Sequence, residues 1–199
     1  MDVRSFRPTC ACGALASWSN QLADHNTMLE LKIPFGATMS LLQLLRRTED
    51  GEDVQYKAET PDEACPACTK GPCCTKSTHL MGVGEVLLIG LNRWSLQPVP
   101  RRARKGHGKG KGKVHVAQQY VKSGIIKPEK RIMLGGEAYH WRAALVHRGR
   151  SPESGHYLTY VIPSDRRHRV VYNDDRVSTL TRLPREVLTD ARVLVYEKE

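Results

Sequence analysis

Hydrophobic residues occur in short runs along the chain, and most runs have the length and spacing of β-strands. Residues 27–33 alternate between apolar and polar and meet Pro34, which predicts a strand that stops there. Four leucines within 41–45 follow Thr38 and Ser40, a pattern that predicts a short helix with a hydroxyl N-cap. A second short helix is predicted over 184–190, where Pro184 stands at the tolerated first position. Further strands are predicted near 54–57 and over 86–94, 114–121, 131–134, 138–147, 156–162, 168–172 and 191–196.

These elements predict a strand-rich α+β fold whose second half is mostly antiparallel. The chain has 199 residues, of which 40% are hydrophobic, so a sizeable core and one or at most two domains are expected. The longest apolar stretch, around residues 86–89, is too short to span a bilayer, and residues 1–8 carry no secretory signal. Six cysteines are too few for a disulfide scaffold. A reducing compartment, either cytoplasmic or nuclear, is therefore expected, with no membrane partner.

The positive charge is concentrated in one segment. The formal net charge is +10, and seven of the 31 lysines and arginines fall within residues 101–113. The 24 basic residues that remain face 21 acidic ones, so the rest of the chain is nearly balanced. Alternation of glycine and lysine favours a flexible, solvated insertion over residues 98–113. Contact with nucleic acid, or a nuclear-import signal, is the alternative for this segment.

The six cysteines form two groups, which suggests a zinc site. Cys65 and Cys68 have the C-x-x-C spacing that lets two thiolates bind one tetrahedral zinc ion. Cys10 and Cys12 are one residue closer together and make a weaker second pair. The pattern leaves the ligand set open, because further candidates lie nearby and all six could instead be ordinary reduced thiols. The candidates that could replace a ligand are Cys73, Cys74 and His79.

A histidine and an asparagine are predicted to meet across a hairpin in the last third of the chain. If the turn between the two strands is centred between Ser164 and Asp165, antiparallel pairing places His156 directly opposite Asn173. Side chains at that separation can form a hydrogen bond that fixes the tautomer and orientation of an imidazole. A shift in register would bring Asp174 to the histidine instead.

This pair is half of a nucleophile–histidine–asparagine system, because a base needs a nucleophile to activate. All six cysteines belong to the two metal-like groups. Ser154 lies only two residues from His156 on the same predicted strand, which is an unfavourable position for a nucleophile. From spacing alone, a catalytic His156 and a merely structural one are about equally supported.

Five segments, in order along the chain, resemble motifs of the ubiquitin-specific proteases, a family of ubiquitin carboxyl-terminal hydrolases. The family motifs are the vLiihLkRF strand, the Y.L.avi.H.G segment, sGHYvaY, fnDs.V and vl...AYvLfY. The matching segments are Leu87–Trp94 (LLIGLNRW), Tyr139–Gly149 (YHWRAALVHRG), Ser154–Tyr160 (SGHYLTY), Tyr172–Val177 (YNDDRV) and Val187–Tyr196 (VLTDARVLVY). The two cysteine pairs stand where the family keeps its paired zinc knuckles. The resemblance therefore extends from about Cys10 to Tyr196.

The resemblance implies a papain-like cysteine-protease fold that consists of the family's fingers and palm. The fingers would be residues 1–80 and carry the zinc knuckle. The palm would be residues 81–97 and 114–199, mostly antiparallel, and the insertion 98–113 would separate its two parts. The thumb, which carries the family's nucleophilic cysteine box and its oxyanion donors, is not found in the sequence and is expected to be absent.

The resemblance also implies roles for individual residues. His156 would be the general base, Asn173 its orienting partner and Asp174 an adjacent contributor. The implied zinc ligands are Cys10, Cys12, Cys65 and Cys68.

The reaction implied is thiol-dependent hydrolysis of the isopeptide bond after the C-terminal glycine of ubiquitin. Ubiquitin or ubiquitinated proteins would be the partners, and the chain alone would be inactive for lack of the cysteine. A non-catalytic ubiquitin-binding module is the main alternative, and a zinc-stabilised nucleic-acid binder that uses residues 101–113 is a further one.

Overall fold

The computed structural model describes residues 2–5, 9–10, 24–26, 28–49, 52–55, 73–76, 79–80, 84–100, 116–164 and 167–199. Strands predominate among them. The strands are β1 (Asp2–Ser5), β2 (Thr9–Cys10), β3 (Asp24–Asn26), β4 (Met28–Lys32), β5 (Thr38–Ser40), β6 (Glu52–Gln55), β7 (Cys73–Lys76), β8 (His79–Leu80), β9 (Val86–Asn92), β10 (Trp94–Pro100), β11 (Val116–Lys122), β12 (Ile125–Lys127), β13 (Arg131–Leu134), β14 (Glu137–Ser151), β15 (Ser154–Val161), β16 (Arg169–Asn173), β17 (Arg176–Leu180) and β18 (Ala191–Lys198). The two helices described are α1 (Leu41–Glu49) and α2 (Glu186–Asp190).

An eight-stranded sheet forms the centre of the described structure. Its strand order is β17-β16-β15-β14-β18-β9-β4, and β13 pairs with β14 beside this path. Every pair in it is antiparallel except β4 and β9, which run parallel, so the sheet is mixed. The predicted, mostly antiparallel second half is confirmed. The parallel strand at the edge was not predicted, because alternation within 27–33 carries no information about its partner.

Four smaller sheets account for the other described strands. The strand β10 pairs with β11 in an antiparallel hairpin, and β5 pairs with β12 in parallel. The other two are three-stranded and have the orders β3-β1-β8 and β2-β7-β6. The basic residues 101–113 lie between the paired strands β10 and β11 and outside the described residues.

The core lies between the large sheet and both helices, where apolar side chains alternate along the strands. The helix α1 begins with the predicted hydroxyl cap, because the N–H of Gln43 donates to Ser40 Oγ at 3.1 Å. The cap is reciprocal, which was not predicted: the N–H of Ser40 donates to Gln43 Oε1 at 2.9 Å. Almost fully buried residues include Leu31, Leu41, Leu44, Ile89, Leu91, Ile126, Ile132, Tyr139, Ala144, Val146, Val187, Leu194 and Tyr196.

Arg93 is a buried cation that ties α2 to the sheet. It lies between β9 and β10 and is only 1% exposed. Its guanidinium donates to three backbone carbonyls, namely those of Gly124 at 2.8 Å, Leu188 at 2.9 Å and Ala191. Burial lowers the pKa of Arg93 to about 10, and nearby Asp190 partly offsets this effect. These bonds hold the C-terminal end of α2 against the sheet.

No helix among the described residues is both long and apolar enough to cross a membrane.

Candidate active site

The register between β15 and β16 differs from the predicted one by two residues. Thr159 lies opposite Tyr172, and Val161 lies opposite Val170. This register centres the connection between the two strands one residue later than predicted. In agreement with it, β16 begins at Arg169. The prediction that His156 lies directly opposite Asn173 is wrong. A two-residue shift nevertheless keeps each side chain on its predicted face, so the two residues are diagonal neighbours.

His156 and Asn173 are in contact despite the shift. His156 Nε2 lies 2.5 Å from Asn173 Oδ1. An amide oxygen can only accept a hydrogen bond, so Nε2 carries the hydrogen and donates. The Nδ1 atom is then the unprotonated nitrogen of the neutral ring, and it is the position at which the imidazole can accept a proton. The His156 side chain is 43% exposed, which leaves the ring open to a reacting group.

Asp174 is the second polar group at this histidine. Its Oδ2 lies 3.7 Å from His156 Nε2, although its side chain is 77% exposed. Asp174 and Asp175 form the two-residue turn between β16 and β17, since Asn173 pairs with Arg176. Asp174 has φ of +50°, a left-handed conformation that aspartate tolerates better than most residues. The turn thus places a carboxylate next to a protonatable ring.

A second histidine, His147, is buried beside the strand that carries His156. It is directly opposite Tyr157 in the pairing of β14 with β15, and the two ring centroids are 4.7 Å apart. His147 is 3% exposed, and Trp94 meets it edge-on with ring centroids 6.3 Å apart. His147 lies in one of the segments that resemble the family motifs, but sequence patterns assigned it no role, because its ring contacts come from two other strands, β10 and β15.

A salt bridge connects the strand that faces His156 to the start of α2. Arg148, directly opposite His156, donates to both carboxylate oxygens of Glu186 at 2.6 and 2.7 Å. The hydroxyl of Tyr160 also donates to Glu186. The hydrogen bonds from Arg148 lower the pKa of Glu186, whereas burial and the bond to Glu186 raise the pKa of Tyr160 to about 12.

Ser154 is engaged with another serine. Its Oγ lies 3.0 Å from Ser151 Oγ, across the turn between β14 and β15. The described strands of the eight-stranded sheet contain no cysteine, whereas Cys10, Cys73 and Cys74 belong to the sheet formed by β2, β7 and β6. The described strands of this site therefore contain the contact between His156 and Asn173 but no cysteine.

Most of the predicted zinc ligands lie outside the described residues. These are Cys12, Cys65 and Cys68. Cys10 lies in β2, where its backbone is directly opposite Cys74 of β7. No group of three or more metal-ligating side chains occurs among the residues whose side chains the structure describes. The implied ligand set therefore stays a prediction.

Comparisons with known proteins identify a family and a fold. A family model described as ubiquitin carboxyl-terminal hydrolase matches residues 19–196. Among curated proteins, none matches significantly.

Three similar solved structures come from the SAGA DUB module. A structure of the yeast module with a mutant Sgf73 is 17% identical, with a TM-score of 0.68. The Ubp8/Sgf11/Sus1/Sgf73 module bound to ubiquitin aldehyde is 18% identical with a TM-score of 0.65, and the module bound to monoubiquitin is 16% identical with a TM-score of 0.62. Each match covers 100% of this chain, which spans only about 40% of the length of the matched chains.

Proposed function

Because the chain belongs to the ubiquitin carboxyl-terminal hydrolase family, we propose that it forms the base-bearing part of a thiol-dependent active site that cleaves the isopeptide bond after the C-terminal glycine of ubiquitin. The domain is of the deubiquitinase type and has the papain-like fold of that family. The observation that carries the proposal is the contact between His156 Nε2 and Asn173 Oδ1.

In this mechanism His156 moves protons at Nδ1. The nucleophile is a cysteine supplied by a segment outside these 199 residues. This chain corresponds to only 40% of the length of a matched chain, which supports such a segment. Nδ1 takes the thiol proton, and the thiolate attacks the carbonyl carbon of the scissile bond. The C–N bond then breaks, and Nδ1 returns the proton to the leaving lysine amine. Water, activated by the same nitrogen, hydrolyses the thioester.

Asn173 and Asp174 act on the histidine rather than on the substrate. The bond from Nε2 to Asn173 selects the tautomer in which Nδ1 is the base. The Asp174 carboxylate, 3.7 Å away, stabilises the imidazolium that forms once Nδ1 is protonated. Its large exposure makes this the smaller of the two contributions.

The paired cysteines support the proposal of a structural zinc ion in the same chain. Two knuckles at Cys10–Cys12 and Cys65–Cys68 would supply four thiolates, the donor set of many structural zinc sites. The register that places Cys74 opposite Cys10 adds a further candidate ligand. The zinc would contribute folding free energy and no chemistry to the reaction.

The proposal is tested by restoring the missing nucleophile. We expect the 199-residue chain neither to turn over a fluorogenic ubiquitin substrate nor to be labelled by a ubiquitin probe with a thiol-reactive group. Fusion of a family cysteine box at its N-terminus should restore both signals. In the fusion, His156→Ala should lower kcat/KM by about 10²–10⁴-fold. Asn173→Ala should lower it by about 10–100-fold, the worth of a hydrogen bond to a charged group.

Two controls make this test specific. His140→Ala removes a histidine from β14, the strand next to the one that carries His156, and should leave kcat/KM of the fusion unchanged. Labelling of the unfused chain at any of its six cysteines would contradict the assignment of the nucleophile. If the chain binds ubiquitin while the fusion stays inactive, the domain is instead a non-catalytic ubiquitin-binding module. That alternative is favoured only by the lack of a cysteine in the described strands of the eight-stranded sheet.

A further inference from the structure

Two glycines flank the candidate base in space, and both make room for one buried ring. A Cβ added at Gly155 would lie 2.3 Å from His147 Nε2, and one added at Gly149 would lie 2.7 Å from His147 Cε1. Real Cβ atoms do not approach other heavy atoms so closely. The same two Cβ positions would also meet the backbone carbonyls of Arg148 and Ser154, because β14 and β15 approach each other closely here. The His147 ring therefore occupies the space that the missing side chains leave.

His147 contacts the residues on both sides of His156. Gly155 precedes the candidate base, and any side chain there would collide with His147 Nε2. Tyr157 follows the base, and its ring centroid lies 4.7 Å from that of His147. Tyr157 and His147 are also directly paired across the two strands. The backbone of His156 is thus held between two contacts with one side chain.

The surroundings of His147 disfavour the charged form of its ring. Burial lowers the pKa of His147, Lys122 and Arg192 lower it further, and Asp190 has a smaller opposite effect. The Trp94 ring packs against it in a T-shaped arrangement, with centroids 6.3 Å apart. A neutral ring in this position acts by packing and does not need to transfer a proton.

We propose that His147 is a positioning residue for the candidate base: its ring fixes the backbone on both sides of His156 and thereby keeps Nε2 within hydrogen-bond distance of Asn173 Oδ1. The inference rests on the role proposed for His156 and extends it to a residue that touches neither nucleophile nor substrate. It predicts that the geometry of the His156–Asn173 pair depends on the shape of the residue at 147 rather than on its ability to titrate.

The test measures that geometry directly in the 199-residue chain. The readout is the nuclear Overhauser contact between the His156 ring protons and the Asn173 side-chain amide, and thermal unfolding is recorded in parallel. His147→Ala should abolish the contact, whereas His147→Phe, which keeps an uncharged ring, should retain it. His140→Ala serves as the matched control, since it removes a histidine from the same strand and should leave the contact intact.

A folded His147→Ala variant that keeps the contact would overturn the proposal. If His147→Ala does not fold, the phenylalanine variant decides: retention of the contact supports positioning by ring shape, and loss of the contact in a folded protein overturns it. The contact is measured without a nucleophile, so its result is independent of the activity test. The role of His147 can be contradicted while the fusion protein is active, and it can be supported while the fusion protein is inactive.

Discussion

Asp174 combines two requirements at one position, because it forms the turn after β16 and also places a carboxylate near His156. Its left-handed backbone, with φ of +50°, excludes β-branched residues and favours Gly, Asn or Asp. Of these three residues only aspartate carries a charge. The turn and the electrostatic contact can therefore be separated by replacing Asp174 with asparagine, which keeps the backbone preference and removes the charge.

In the fusion protein, Asp174→Asn should lower kcat/KM by about two- to fivefold, because exposed ion pairs contribute up to about 1 kcal/mol. Asp175→Asn is the matched control, since it removes the neighbouring carboxylate of the same turn and should have no effect. The loss should shrink as ionic strength rises. Equal losses in both variants would show that general charge, rather than the contact with His156, is responsible.

The identities of His156 and Asn173 were predictable from the sequence, but their register was not. Spacing alone placed the turn one residue too early, so the predicted pairing was wrong. The two side chains stayed on the same face only because the shift was an even number of residues. Arg93 and His147 could not have been assigned roles. The carbonyls that Arg93 bonds lie 31 to 98 residues away in sequence, so no local pattern records them.

The helix α2 shows how a short element is held in place by side chains. It has five residues, too few to be stable by its own hydrogen bonds. Arg93 holds its C-terminal carbonyls, Glu186 at its N-terminus binds Arg148 and Tyr160, and Asp190 pairs with Lys122. Sequence predicted the helix from Pro184 onward but not these attachments, which depend on distant strands.

The salt bridge between Glu186 and Arg148 should make the free energy of unfolding depend on pH in the acid range. The folded-state pKa of Glu186 is lowered, so its contribution is complete above the unfolded value of about 4.3 and is lost as pH falls through the folded value. Arg148 is about half exposed, so we expect a contribution of only about 1 kcal/mol.

Glu186→Gln should lower the midpoint of urea unfolding at pH 7. As pH is lowered into the acid range, this midpoint should fall less in the variant than in the wild type. The exposed turn residue Glu153 provides the control, since Glu153→Gln should retain the pH dependence of the wild type. An unchanged acid dependence in Glu186→Gln would contradict the assigned role.

Among the strands that the sequence did not predict, β10 and β17 were missed for opposite reasons. The strand β10 contains Pro98 and Pro100, which argue against a strand, and it exists through its pairing with β11. The strand β17 is short and almost wholly exposed at the edge of the sheet, so it lacks the alternation of a half-buried strand. In both cases the pairing partner carries the information that the local sequence lacks.

At the scale of the whole molecule, the cysteine pairs predict a metal-dependent stability. The purified chain should contain about one zinc ion, and a chelator should lower its melting temperature, because a structural zinc contributes folding free energy. Cys68→Ser should release the metal. Cys73→Ser, which changes a neighbouring cysteine outside the implied ligand set, should retain it. If protein prepared without chelator contains no zinc, the prediction of a structural zinc site is wrong.

The basic segment should be dispensable for folding and for binding ubiquitin. Pro100 and Val116 are paired, so replacing residues 101–115 by Asn-Gly would leave a two-residue turn suited to a hairpin. We expect an unchanged melting temperature and unchanged ubiquitin binding, since surface insertions affect closure entropy little.

Nucleic-acid binding that disappears on this replacement, with a strong dependence on salt, would favour the nucleic-acid alternative. Unfolding of the variant would show that the segment is structural.

The parallel pairing of β4 with β9 has a consequence for how this molecule can change over evolution. The chain leaves the edge of the sheet after Lys32 and returns beside that strand at Val86, running in the same direction. The segment between Lys32 and Val86 is therefore an excursion from the sheet, and its two ends are fixed by the paired strands β4 and β9. Its length can vary at low entropic cost, because closure entropy grows only with the logarithm of loop length. It has a lower limit, however, since a parallel return needs roughly a dozen residues. The part of the excursion beyond α1, whose Leu41 and Leu44 belong to the core, can therefore change in length without disturbing the register of the strands that carry His156 and Asn173.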